Sequence, residues 1–404
     1  MSHRRGHRIG WLAWIIIILA LVGVAGISVY ANNGFKHTNY VPISVGQNFV
    51  ESENNLGVNF IKYQFAHGST GNVAIAPSGL AAPLALIYTT TAGNAHSAIG
   101  HLLGFSGMSN HAVNISNQTI LNSLISPAGS TVRLNNNWWL DSSLKAQTSY
   151  LKAANTYYHM PLTNVAFGSS TAASTISSTL KQNFGSDPVG LGGVINNQTT
   201  SLITNSSYFA DNWEYGFNPA QTNNAQFTTL TGQTLNWPLM RQTNVFNYYA
   251  ANGIKVVQLP FGADGSLVMN IYLPNDFTSF MQNLSTTSLS NLNDKLGQYQ
   301  VILALPRFNV DYQANLKATL QGMGLGDLFT SVLAQGQVVP GLRLSDFLTF
   351  NNLSINSQGV VGSSQAAATN TADMNIDRPF MFTIVDSASG NFVMIGFVTN
   401  PGQP

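Results

Sequence analysis

The sequence predicts an α+β fold. Three observations lead there. The 404 residues are 44% hydrophobic and 10% aromatic, enough for a large core. Helix-spaced and β-rich stretches alternate without a fixed order, and no internal repeat sets a period. Two apolar runs flank the turn Gly262-Ala263-Asp264-Gly265, as in an antiparallel hairpin.

Taken in order, residues 1–31 read as a signal-anchor helix or a signal peptide, 32–44 as a polar linker and 45–404 as one domain. The run from Ile9 to Val29 carries no charge and has about the length that crosses a bilayer as a helix. His3, Arg4, Arg5, His7 and Arg8 precede it, so the N terminus stays inside and the chain beyond Val29 is exported. In the rival reading Val29-Tyr30-Ala31 is a cleavage site, and the domain is secreted. Either way the domain is extracellular.

The chain has no cysteine, which excludes disulfides and thiolate metal sites. Charged residues are 8% of the chain, against about 25% in ordinary globular proteins. Beyond the apolar run stand 13 Lys and Arg against 15 Asp and Glu, which is no footprint for nucleic acid. Asn, Gln, Ser and Thr hydrate the surface instead. Such a surface changes little on acidification, so an acidic exterior is one expected setting. A glycosylated envelope protein is the competing one, with Asn-x-Ser/Thr sequons at Asn114, Asn117, Asn197, Asn205, Asn283 and Asn352.

Leu56, Phe60, Ile61 and Phe65 space a helix over 49–65, ended by the break at 67–71. Residues 72–80 read as a buried strand turning into a helix, and 95–103 as a second helix. A strand over 131–140, a helix over 144–158, a strand over 162–167 and a Ser/Thr-rich helix over 172–184 come next. The stretch 202–217 holds Asn205, Tyr208, Phe209 and Trp213, whose aromatics read as core. Strands over 255–261 and 266–274 form the hairpin, 301–308 is a strand and 316–329 a helix.

Several of these stretches resemble the serpin family. Leu344-Ser345-Asp346-Phe347-Leu348, followed by Leu353-Ser354-Ile355-Asn356-Ser357-Gln358-Gly359, looks like the strand and glycine hinge that enter a reactive-centre loop. Asp377-Arg378-Pro379-Phe380 and the stretch from Gly390 to Asn400-Pro401 look like the C-terminal strand pair and its closing Asn-Pro. Residues 72–80, 202–217, the Leu259-Pro260-Phe261 hairpin and 301–329 extend the likeness over 56–401 in one order.

The resemblance implies large mixed and antiparallel β-sheets surrounded by helices, and a suicide inhibitor with an exposed loop over 355–380. A target protease cleaves the loop. Before the acyl-enzyme hydrolyses, the hinge inserts into the large sheet as a new strand and traps the protease. The implied hinge is Gly359, Val360, Val361, Gly362, Ser363 and Ser364. The implied cleaved bond lies within Ala368, Thr369, Asn370, Thr371, Ala372, Asp373 and Met374. Counting 14 residues onward from Gly359 gives Asp373-Met374, whereas counting 11 back from Pro379 gives Ala368-Thr369. Ala76, Gly79, Asn205 and Thr349 match the family's sheet-opening positions, with Asn205 as the polar member retained.

Strand alternation puts Val360, Gly362, Ser364, Ala366 and Ala368 on one face. All are small or apolar and uncharged, so insertion can bury them. A register that starts at Gly362 would instead bury Gln365. Val360 directly after the hinge glycine, the late run Ala366 to Ala368 and a loop about five residues short depart from the family pattern. These departures keep a second reading open, a non-inhibitory serpin-fold binding or structural protein outside the cell.

No Gly-x-Ser-x-Gly elbow, Walker loop, His-Glu-x-x-His or EF-hand loop occurs. His96 and His101 stand five apart, not on one helix face. The chain is therefore read as a non-enzyme without cofactor or metal. Its expected partners are a target protease of the serine type, acid-active if the exterior is acidic, and the membrane through residues 9–29. The expected state is a monomer.

Overall fold

A computed structural model describes residues 47–125, 131–184, 191–262, 265–333, 341–360 and 370–403. The chain divides into two compact units, Met1–Val41 and Pro42–Pro404, and every described residue belongs to the second. The apolar run 9–29 and the linker lie outside the described residues. Among those described, no helix is long and apolar enough to cross a membrane.

The chain opens with helix α1 (Gln47–Ala66), strand β1 (Val73–Ile75) and helix α2 (Pro77–Tyr88). Helices α3 (Gly93–Leu102) and α4 (Asn110–Ile125) lead to β2 (Thr131–Asp141), α5 (Thr148–Tyr158), β3 (Leu162–Val165) and α6 (Ala172–Phe184). Strands β4 (Ser201–Ala210), β5 (Trp213–Tyr215), β6 (Asn223–Thr228), β7 (Thr234–Ala251), β8 (Ile254–Phe261) and β9 (Leu267–Pro274) come next. Short helices α7 (Phe277–Gln282) and α8 (Thr286–Asn293) precede β10 (Gly297–Pro306) and β11 (Phe308–Asn315). After α9 (Lys317–Leu320) and α10 (Asp327–Thr330) come β12 (Asp346–Ile355), β13 (Gly359–Val360), β14 (Thr371–Asn375), β15 (Phe380–Asp386) and β16 (Phe392–Val398).

Helix α2 explains the layering. Its sequence PSGLAAPLALIY is apolar nearly all round, and all twelve residues are buried, as such a helix requires. It packs on β2 and β4 on one side and on β16 on the other. The smaller sheet runs β11-β12-β4-β2-β3, and the larger runs β1-β16-β15-β9-β8-β7-β10-β14 with β5, β6 and β13 attached. On the far face of the smaller sheet, Ala172, Ile176 and Leu180 of α6 cover Leu348 and Phe350 of β12.

Two expected helices need correcting. The one expected over 144–158 begins only at Thr148. The one expected over 316–329 breaks into α9, a wide turn and α10, because Gly324 sits at φ +96°, a left-handed conformation that interrupts a right-handed helix. Three helices lie outside the sequence expectations, α4, α7 and α8; the last two are brief and start from side-chain caps, Asp276 and Ser285.

Gly396 of β16 is hemmed in by its neighbours in the larger sheet, β1 and β15. A Cβ there would stand 2.3 Å from the carbonyl oxygen of Val73 and 2.8 Å from Cζ of Phe382. Backbone cannot yield as a flexible side chain does, so Gly396→Ala is predicted to destabilise the domain by about 1–3 kcal/mol. Urea unfolding checks this; an unchanged midpoint would refute the close approach.

Candidate functional site

The site is built where β12 lies against β4. The two strands run parallel, from Asp346 opposite Leu202 to Leu353 opposite Phe209. Antiparallel neighbours, β11 and β2, flank the pair. Thr349 pairs with Asn205 in this register, and both side chains are 1% exposed. Thr349 Oγ1 donates to Asn205 Oδ1 at 2.9 Å, and Asn205 Nδ2 donates to Asn136 Oδ1 at 2.9 Å. Asn351 Nδ2 donates to Thr349 Oγ1 at 2.8 Å, and Ser207 Oγ donates to Asn351 Oδ1. A buried polar ladder thus stitches β2, β4 and β12 together beneath the backbone pairing.

Gly79 and Ala76 close the space below it. A Cβ on Gly79 would come within 2.7 Å of Asn205 Nδ2 and 3.7 Å of the Ala76 Cβ. Glycine is thus what lets α2 approach the Asn205 amide. The four sheet-opening residues read from the sequence therefore meet in one place. Asn205 is not the sole polar member: Thr349 bonds to it, and Asn136, Asn351 and Ser207 complete the ladder. Sequence reasoning missed these three because each sits in a polar run, Asn135-Asn136-Asn137, Ser206-Ser207 and Asn351-Asn352, that looks solvated.

The segment after β12, read from the sequence as leading into the hinge, is tied down at once. Trp213 Nε1 donates to the Asn356 carbonyl at 2.8 Å, the Trp213 backbone N–H to Gln358 O at 3.0 Å and the Phe217 N–H to Ser357 O at 3.1 Å. Gly359 and Val360 continue as β13, parallel to β5 opposite Trp213 and Tyr215. Trp213 is 3% exposed and stacks on Phe261 at 4.3 Å, so the clamp is anchored in the core. Val361, Gly362, Ser363, Ser364, Ala368 and Thr369 lie outside the described residues.

On the far side the Asn370 carbonyl accepts from the Gln300 N–H at 2.8 Å. Thr371, Ala372, Asp373 and Met374 then form β14, parallel to β10 from Thr371 opposite Gln300 to Asn375 opposite Ala304. Met374 is fully buried. Lys255 Nζ donates to the Asp373 carbonyl at 2.9 Å, while burial first and the Asp373 carboxylate second raise the pKa of the Tyr248 phenol. Arg378 fastens the exit, donating to Pro274 O at 3.0 Å, Asn275 Oδ1 at 3.1 Å and Asp377 Oδ1 at 2.9 Å. A bond at Asp373-Met374 is therefore held in a strand with one side chain in the core.

A closed five-stranded sheet with a parallel central junction, feeding a loop that crosses to a second sheet, defines the class. The chain belongs to the serpin family: the family model described as serpin (serine protease inhibitor) matches residues 51–401. It is similar to antithrombin-III of Mus musculus, 31% identical over 226 residues, which is 52% of this chain and 48% of that protein. An uncharacterized serpin-like protein of Thermococcus kodakarensis is 25% identical over 85% of this chain and 84% of its own length. Leukocyte elastase inhibitor of Xenopus tropicalis is 26% identical over 83% and 94%. Among solved structures, native protease nexin-1 with heparin matches at a TM-score of 0.80 and 19% identity, covering 88% of this chain and 100% of that one. Human thyroxine-binding globulin matches at 0.78 and 20%, covering 88% and 99%.

Asn205→Ala would leave the Thr349 hydroxyl without its acceptor and Asn136 Oδ1 without its donor. The predicted cost is about 1–3 kcal/mol, since both stay buried. Denaturant titration measures it, and a loss below about 0.5 kcal/mol would mean that the ladder contributes little.

Proposed function

We propose that this serpin inhibits a serine-type endopeptidase by loop cleavage, covalent trapping and loop insertion. The observation that carries the reading is the parallel junction between β4 and β12. Chain leaving the C-terminal end of β12 and turning back would run antiparallel to both strands. Insertion would thus replace one parallel pairing with two antiparallel ones, which are slightly more stable per residue. The strands are already hydrogen-bonded to each other, so the gain is withheld until the junction opens. That is the condition for a trap that springs once.

Geometry also favours one cleavage position. Ala368-Thr369 leaves the ten residues 359–368 on the freed end, enough to lie along the ten-residue β12. Asp373-Met374 would require β14 to peel from β10 first. The cleaved bond is therefore assigned ahead of β14, with small or neutral-polar residues before it. Such residues suit a protease with a shallow pocket. An acid-active target would accord with the low charge of the surface, and the uncharged run 9–29 supports tethering outside the cell.

The tie between β13 and β5 favours a second reading, a non-inhibitory binding or structural serpin, because the first loop residues are held away from the junction. The two readings part in one experiment. A panel of serine proteases of differing pocket depth is incubated with wild type, Ser364→Glu and Ser363→Glu. Trapping predicts an SDS-resistant adduct for wild type and Ser363→Glu, and clean cleavage without adduct for Ser364→Glu, whose charge would be buried on insertion. Cleavage of all three without adduct would favour the second reading.

A further inference from the structure

Helix α1 carries a carboxyl group into the core. Glu53 is 1% exposed and faces Ser78 at the start of α2 and Asn391 in the turn before β16. The Ser78 hydroxyl donates to Glu53 Oε2, and Asn391 Nδ2 donates to Ser78 Oγ at 3.0 Å. The three side chains form one buried cluster. Two acceptors in it, Glu53 Oε1 and Asn391 Oδ1, are buried with no donor.

With Glu53 ionised, Oε2 accepts from Ser78 while Oε1 and Asn391 Oδ1 both remain buried acceptors without a donor. A neutral carboxylic acid places a proton on Oε1 and supplies that donor.

Among the described residues, the main elements packed on α1 bring no cation to balance a carboxylate. The main elements packed on α1 are β1, α2, α7, α8 and β16. None of them contains Asp, Glu, Lys, Arg or His; Tyr88 at the far end of α2 is their one titratable group. On α1 itself Glu51 is exposed, and Lys62 reaches the Leu284 carbonyl at 3.3 Å. Asp386, in the β15–β16 turn with Asn391, bonds to Ser389 Oγ at 2.6 Å and the Ala388 N–H at 3.2 Å.

We propose that Glu53 is a neutral acid in the folded protein, donating from Oε1 to Asn391 Oδ1, and that this proton clamps α1 to the C-terminal strand pair in a pH-sensitive way. Burial, outweighing the lowering by Ser78 and Asn391, raises its pKa from 4.5 to about 7. A folded value above the unfolded one means stabilisation that is complete below the unfolded pKa and lost as pH rises through the folded one. The fold therefore tightens from neutral towards mildly acidic pH, where most exposed carboxylates stay ionised. The clamp shares the start of α2 with the β4–β12 junction, since Ser78 directly precedes Gly79.

Glu53→Gln is the direct test. Its amide copies the neutral acid permanently, Nε2 donating to Asn391 and Oε1 accepting from Ser78. Urea unfolding of the full-length protein at pH about 5 and about 8 gives the folding constant of each form. Wild type is expected to lose on the order of 10²-fold more than Glu53→Gln between the two pH values, and to be the less stable at pH 8. Equal pH dependence in both, or a variant weaker than wild type at pH 8, would overturn the proposal. Infrared spectra of wild type need no variant. The carbonyl band of a buried carboxylic acid is expected at pH about 6, where exposed carboxyls are ionised, and should fade by about 8; its absence at pH 6 would also refute it.

Discussion

Strands β4 and β12 run in the same direction and share eight residue pairs, from Asp346 opposite Leu202 to Leu353 opposite Phe209. A parallel pair in an otherwise largely antiparallel sheet is the weaker junction, and here it is reinforced from below. The ladder of Asn136, Asn205, Thr349, Asn351 and Ser207 crosses it out of reach of water. Each bond is strong in the low dielectric and expensive to leave unmade. The wholly buried α2 fixes this ladder from one side, while α6 covers the sheet from the other. The weak junction is thereby held closed.

The two ends of the loop are secured by different means. At the entrance the chain is held by carbonyls that accept from Trp213 and Phe217, bonds that a local rearrangement can release. At the exit β14 is a strand of the larger sheet, with Met374 in the core and Arg378 bonded to Pro274, Asn275 and Asp377. The surface ion pair in that set contributes little by itself; the backbone register of β14 holds the segment. Cutting the chain between the two would free the entrance side and leave the exit side in place.

Much of this is legible in the residues. The apolar run of α2 can only be a buried helix, and the Leu259-Pro260-Phe261 hairpin and the C-terminal pair β15–β16 carry alternation and a turn. Asn205 is picked out by the family likeness, since half of β4, SLITNSSYFA, is Ser, Thr or Asn. The hidden part depends on partners distant in sequence. Asn136, Asn351 and Ser207 look like surface residues until β2, β4 and β12 are set side by side. Strand β14, TADMN, has one large apolar residue and no alternation, so its residues read as part of the cleavable segment; only its register with β10 removes it. Gly324 ends a helix that composition favours, because a single left-handed residue outweighs the propensity of its neighbours.

The central claim is that the closed β4–β12 junction stores free energy which a freed loop releases. The most direct measurement is the thermal midpoint of the protein before and after a single proteolytic nick within residues 366–370. Insertion of residues 359–368 as a strand predicts a rise on the order of 10 °C or more, equivalent to several kcal/mol for a domain of this size. A midpoint that stays put or falls would contradict the account.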